Sequence, residues 1–460
     1  MDEQNDQGHA KEYELSALLR ERFGADCVYL SPKVNDKPGC EKELCDVLIL
    51  ALPYAIVFQS KWMKLTAEDL NGDDANVKRG RLVRRMQKAA QQFAEFSSSL
   101  KHLKSTFLPK IWAKGEDVGL YELPLKLIER VIPIVVVDFE DLNYDNPQLR
   151  YTDIPPVIVD APSQIKNWGH VHSFLLKDFK KIVNQLFRVG DLILWLCERE
   201  KLFKGMPRSF VGYNELSLFM LYLINNPMWK KLLEFDGVLF DDCDLFERML
   251  QEKSAEFEKR QAVFAKQDIV DVLELELHRS AMNMLSKNSD ASVVYTYLSY
   301  AGRIKCWPVV MKKNVAEKFM ELLAGYQFLD GKDAMNGAYG FFNDTPLKGT
   351  LCYFGVVNYT ETSVEKICPY ILQRALAYIK KHKLQGDIHE LLIILTRPDG
   401  PSISCVLYPI DAQTYLHAMQ ESELERTRIS YSAYKFTTSE WDMVRNLNGE
   451  GGDDRTGLDV

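Results

Sequence analysis

Asp46, Gln59 and Lys61 bracket two apolar strand interiors, residues 47–50 and 55–58. Their types are those that phosphodiester hydrolysis calls on: a divalent cation held by hard oxygen ligands, and a cationic group near the attacking water. A tight turn centred between Leu52 and Pro53 sets Ala51 opposite Tyr54 and, counting outwards, Asp46 opposite Gln59. Opposed residues of an antiparallel pair share a face, with Cβ atoms roughly 5 Å apart. Lys61, two positions past Gln59, projects from the same side. A carboxylate, an amide oxygen and an ammonium therefore converge at the open end of one hairpin. The competing reading is an Asp46–Lys61 ion pair at a sheet edge, with Gln59 incidental.

The surrounding elements must hold that hairpin. Ala10, Tyr13, Leu15, Leu18, Leu19 and Phe23 recur at helical spacing and stop at Gly24, which predicts a helix over residues 9–23. A short strand over 26–31 follows, then a polar loop over 32–41. The runs 44–50 and 55–58 form the hairpin. A long helix over 80–102 carries the stripe Leu82, Met86, Ala89, Phe93 and Phe96, and 131–139 reads as a buried strand. Helix, three strands, helix, strand is an α/β core.

Asp46 followed by Gln59-Ser60-Lys61 resembles the D…QxK variant of the PD-(D/E)xK nuclease motif, as in Mrr-like restriction endonucleases, and the element order resembles that family's αβββαβ core. The resemblance covers residues 8–140. It implies a restriction-endonuclease-like N-terminal fold and a Mg²⁺ (or Mn²⁺) cofactor. The family places a Glu on the first helix after an aromatic residue, and Tyr13-Glu14 matches, with Glu12 as the competing position. By resemblance Glu14 and Asp46 hold the metal, and the Gln59 amide or Ser60 carbonyl completes the shell. Lys61 orients the water and stabilises the transition state. Two departures stand out: Cys45 rather than Pro precedes Asp46, and Gln replaces a carboxylate.

Charge is unevenly spread. Residues 77–114 hold ten Lys or Arg and one acid, Glu95, a net of +9 in a chain of −8, so the remainder carries −17. Arg81, Arg84, Arg85 and Lys88 recur on the helix side away from the apolar stripe, flanked by Gln87 and Gln91. A guanidinium row suits phosphate oxygens. The expected partner is nucleic acid; double-stranded DNA is favoured only by the family resemblance. A solvated charged face is the plainer alternative.

Further along, residues 188–305 read as a helical domain, 306–445 as a C-terminal α/β domain, and the Gly- and Asp-rich tail 446–460 as disordered, leaving 1–187 as the nuclease-like domain. Residues 188–445 are the place for a protein partner or homo-oligomer contact. His170 and His172 lack a third ligand and read as ordinary histidines. Nine cysteines without a CxxC pair suggest reduced thiols, and the acidic N-terminus reads as no secretory signal, so a cytoplasmic protein with no membrane association is expected. No phosphate-binding Gly loop or nucleophile elbow occurs. The expectation is thus a Mg²⁺-dependent endonuclease of a restriction or anti-phage defence system. Its rival is an inactive nuclease fold that binds nucleic acid or scaffolds an assembly.

Overall fold

A computed structural model of the chain describes residues 2–37, 40–66, 84, 88–89, 92–93, 107–110, 112–113, 116–117, 127–141, 171–204, 215–225, 245–286, 291–326, 335–341, 349–357, 361–381, 387–397, 400–410 and 430–435. It divides into two compact units, residues 1–259 and 260–460. The helical stretch expected over 188–305 is shared between them.

The first unit opens with helix α1 (Asp2–Phe23). Leu15, Leu19 and Phe23, four residues apart, are buried. Gly24, at φ 98°, ends the helix by returning its N–H to the Arg20 carbonyl, a conformation open to a residue without Cβ. Strand β1 (Val28–Lys37) continues through the expected loop, because β2 (Cys40–Glu43) pairs back on it antiparallel. An edge hairpin can be polar in composition, which is why this one read as a loop. β3 (Val47–Ala51) and β4 (Tyr54–Thr66) form the central hairpin, and Ala51 faces Tyr54 across the turn. β5 (Phe107–Lys110) also pairs with β1, and β6 (Trp112–Ala113) with β7 (Glu116–Asp117) forms a small ribbon. β8 (Arg130–Asp141) lies parallel to β4, and β9 (His172–Leu175) parallel to β8. The sheet order is β2-β1-β3-β4-β8-β9. Consecutive residues of β3 and β4 are buried, so both faces of these central strands are covered, which accounts for apolar runs without alternation.

α2 (Leu176–Gln185) packs against β8, β9 and α1. Phe179 meets Phe58 edge-on at 5.7 Å between centroids. α3 (Val189–Lys204) and α4 (Glu215–Leu223) follow, then α5 (Leu245–Glu252); the division between units falls within α6 (Ser254–Phe264). Arg199 of α3, fully buried, forks onto Glu215 of α4 at 2.9 and 2.8 Å and reaches His172 Nδ1 of β9 at 2.9 Å. Glu215, in the first turn of α4, is thus half of a buried ion pair.

The second unit is a three-layer α/β/α arrangement. Its sheet runs β13 (Gly400–Pro409), β12 (Glu390–Arg397), β11 (Thr350–Val357), β10 (Met335–Phe341), β14 (Ser430–Lys435). Strands β10 and β14 have no counterpart in the sequence reading. Cys352, Phe354 and Val356 pack with α7 (Ile269–Ser286), α8 (Ala291–Lys305) and α9 (Val309–Tyr326). Leu351, Tyr353 and Val357 pack on the other face with α10 (Glu361–Lys381). That alternation is the two-residue period of a strand.

Among the described residues no helix is long and apolar enough to cross a membrane.

Candidate active site

Asp46 lies between β2 and β3, and its backbone is tied on both sides. Its carbonyl accepts from Ser31 N–H at 2.8 Å, and its own N–H donates to Phe58 O at 3.2 Å. The flanking strands therefore set where its side chain begins. Carboxylate Oδ2 accepts a hydrogen bond from the Ser60 amide at 2.5 Å. Lys61 Nζ stands 3.8 Å from the same oxygen and donates to Gln59 Oε1 at 3.1 Å. Asp46, Gln59 and Lys61 are thus brought together as hairpin counting requires. Ser60 contributes through its N–H.

The site is dry at its base and open at its rim. Asp46 is 7% exposed and Gln59 3%, while Lys61 is half-buried. Burial disfavours a charged carboxylate, and Asp46 is pushed up to about 7 chiefly for that reason. Lys61 opposes the shift, Glu12 adds to it, the Ser60 N–H opposes it, and Glu43 adds to it. His9 is raised by its hydrogen bond to Glu12 and by that group's charge, with Glu43 and Asp46 contributing further. His9, Glu12, Glu43 and Asp46 therefore form one electrostatic neighbourhood.

Glu14 is held elsewhere. One carboxylate oxygen accepts from Lys11 at 3.0 Å and the other from Lys180 of α2. Burial opposes ionisation, yet these two ammoniums hold its carboxyl below the usual range. Lys11 also reaches Asp138 Oδ2 at 2.8 Å. Glu14, the acid expected by resemblance to hold the metal, thus faces α2, while Glu12 is the α1 acid whose charge acts on Asp46.

Of the basic row, Arg84 and Lys88 are helical and exposed, whereas Ala89 and Phe93 of the expected stripe are helical and buried. Arg81, Arg85, Gln87 and Gln91 lie outside the described residues. Asp138 and Lys180 are participants that sequence reading passed over. Asp138 had a signal: it is the first acid after the apolar run 131–137.

The donor set of Asp46, Gln59 and nearby Glu12 consists of hard oxygens, and the direction of the Asp46 shift is one that a bound cation relieves, so the chemistry fits Mg²⁺ or Mn²⁺. Among the described residues no group of three or more His, Cys, Asp or Glu is arranged as a metal cage. Compared with protein-family models, curated proteins and solved structures, the chain matches none.

Proposed function

We propose that the first unit is a Mg²⁺- or Mn²⁺-dependent endonuclease domain hydrolysing phosphodiester bonds, with DNA as substrate. One observation carries the reading: Asp46, Gln59 and Lys61 converge at the end of a hairpin that is otherwise apolar, with a buried carboxylate pushed up to about 7. Placing an acid there costs stability, and perturbed groups of this kind cluster where chemistry is done.

Further support comes from element order. With the edge strand β2 and the short strands β5, β6 and β7 as additions to it, α1, β1, β3 and β4, a segment helical at 84, 88, 89, 92 and 93, and then β8 follow the αβββαβ succession that the motif resemblance implies. Asp46 and the Gln59 amide oxygen would hold the ion, with an α1 carboxylate as third donor. Such an ion, when bound, would supply charge neutralisation at the phosphate and activation of the attacking water. Lys61, half-buried between Asp46 and Gln59, holds an ammonium where negative charge develops in the transition state. Arg84 and Lys88 offer exposed charges to the backbone phosphates. By analogy with nuclease-bearing chains of similar organisation, the setting is restriction or anti-phage defence.

A second reading, an inactive nuclease fold that binds nucleic acid or scaffolds an assembly, is favoured by one contact: Lys61 already occupies the Gln59 oxygen. Cleavage of plasmid and single-stranded DNA with Mg²⁺ or Mn²⁺ separates the two. Under the nuclease reading wild type cuts, while Asp46→Ala and Lys61→Ala lose at least about a hundredfold. Equal cutting by all three, or binding without cutting in any, points to the second.

A further inference from the structure

Among the described residues, two other than glycine adopt a left-handed backbone: Ser31, at φ 44°, and Asn225, at φ 48°. Asn225 follows α4, and a left-handed residue after a helix is an ordinary stop. Ser31 lies within β1, where such a conformation normally falls to glycine. A serine keeps it only where the surrounding contacts demand it, and residues held in this way gather at functional sites.

The contacts at Ser31 are those of Asp46. β1 pairs with β3 as far as Leu30 opposite Val47, and with β2 from Lys33 opposite Glu43. Between those pairs β1 takes three steps (30 to 33), whereas the chain beside it takes four (43 to 47). The Ser31 N–H donates to the Asp46 carbonyl, and the Leu44 N–H donates to the Pro32 carbonyl, both at 2.8 Å. The residue in excess is therefore Cys45, and Pro32 has no N–H to offer it. The turn at Ser31 lets one strand hold both sides of this bulge.

A bulge re-aims the side chain beside it. The β3–β4 register ends at Val47 opposite Phe58, and beyond it the Ser60 N–H of β4 donates to the Asp46 carboxylate at 2.5 Å, where a regular ladder continues with backbone carbonyls. Asp46 itself is bridged between strands, its N–H on Phe58 at 3.2 Å and its carbonyl on Ser31. Without the second bond it would hang at a ladder end by the longer first one.

We propose that Ser31 is a positioning residue: its left-handed backbone holds the bulge at Cys45, which turns the Asp46 carboxylate onto Ser60 and towards Gln59 and Lys61. The inference rests on the nuclease reading, in which Asp46 holds the ion.

The test uses the full chain and Mn²⁺ alone as the probe. Calorimetric titration, thermal melting and residue-resolved hydrogen exchange at the Ser60 amide are read together. Ser31→Gly adopts the left-handed backbone freely and is expected to bind Mn²⁺ within about threefold of wild type. Ser31→Thr keeps the hydroxyl but adds a branch at Cβ, which a positive φ disfavours. It is expected to weaken Mn²⁺ binding about tenfold, as the loss of outer-shell support does, and to speed Ser60 exchange about as much. Asn225→Thr puts the same branch at the other left-handed residue and should lower the melting temperature with neither effect. A lowered melting temperature in Ser31→Thr, with Mn²⁺ affinity and Ser60 exchange as in wild type, overturns the positioning role and leaves the nuclease reading standing. Ser31→Gly as defective as Ser31→Thr also overturns it, because the side chain rather than the backbone then acts. If wild type binds no Mn²⁺, the nuclease reading fails and the proposal with it.

Discussion

Replacing Asp46 by Asn tests the electrostatic account of the site without any assumption about substrate. Asn keeps an oxygen to accept the Ser60 N–H and removes only the charge. An ordinary Asp carboxyl titrates at 3.8, and this one is pushed up to about 7. The folded value is raised above the unfolded one, so the folded chain holds an extra proton between them. The stability contributed by neutral Asp46 is fully present below about pH 4 and is lost as pH rises through 7. At 1.36 kcal/mol per pH unit the gap amounts to on the order of 4 kcal/mol. Wild type is therefore expected to lose about that much local stability across the window, and Asp46→Asn to lose little. Hydrogen-exchange protection of peptides spanning β3 and β4, followed from pH 4 to pH 8, reads the difference directly. Protection that changes in parallel in the two proteins refutes the reasoning. A second arm adds Mg²⁺ at pH 8: binding at a hundred times Kd stabilises by about 2.7 kcal/mol, and only wild type should show it.

Other perturbations probe the two units separately. Arg199→Met strands Glu215 in the interior and is expected to cost about 3–5 kcal/mol in the unfolding of the first unit, whereas Arg199→Met with Glu215→Leu recovers most of it by denaturant titration. Gly337→Ala places a Cβ 1.9 Å from the Tyr353 hydroxyl, so the second unit should lose about 1–3 kcal/mol; an unchanged melting transition contradicts that packing. Arg84→Glu with Lys88→Glu is expected to weaken DNA binding uniformly across sequences and to flatten the log affinity–log salt slope by about 2, measured by fluorescence anisotropy.

The candidate site was legible to the extent that its geometry is local. Asp46 and Lys61 lie within one hairpin, and the apolar runs with the Leu52-Pro53 turn dictate a register that any reader can count; Ala51 does face Tyr54. Helical spacing likewise marked Leu15, Leu19 and Phe23, which α1 buries, but it also took in Ala10 and Tyr13, which are exposed. The β1–β2 edge was not legible, because its polar residues read as loop and only pairing makes them strand. Strands β10 and β14 escaped for a related reason: they are parallel neighbours joined by about ninety residues of chain, and no local pattern announces such a partner.

Sequence by itself determined the α/β character, the hairpin register and the meeting of Asp46, Gln59 and Lys61. Only the tertiary structure decided where the charges of α1 go. Glu14 is met by Lys180 of α2 and Lys11 by Asp138 of β8, partners more than a hundred residues away that no local pattern announces. Periodicity sets which face of a helix is buried; it does not say which distant charges the polar faces meet.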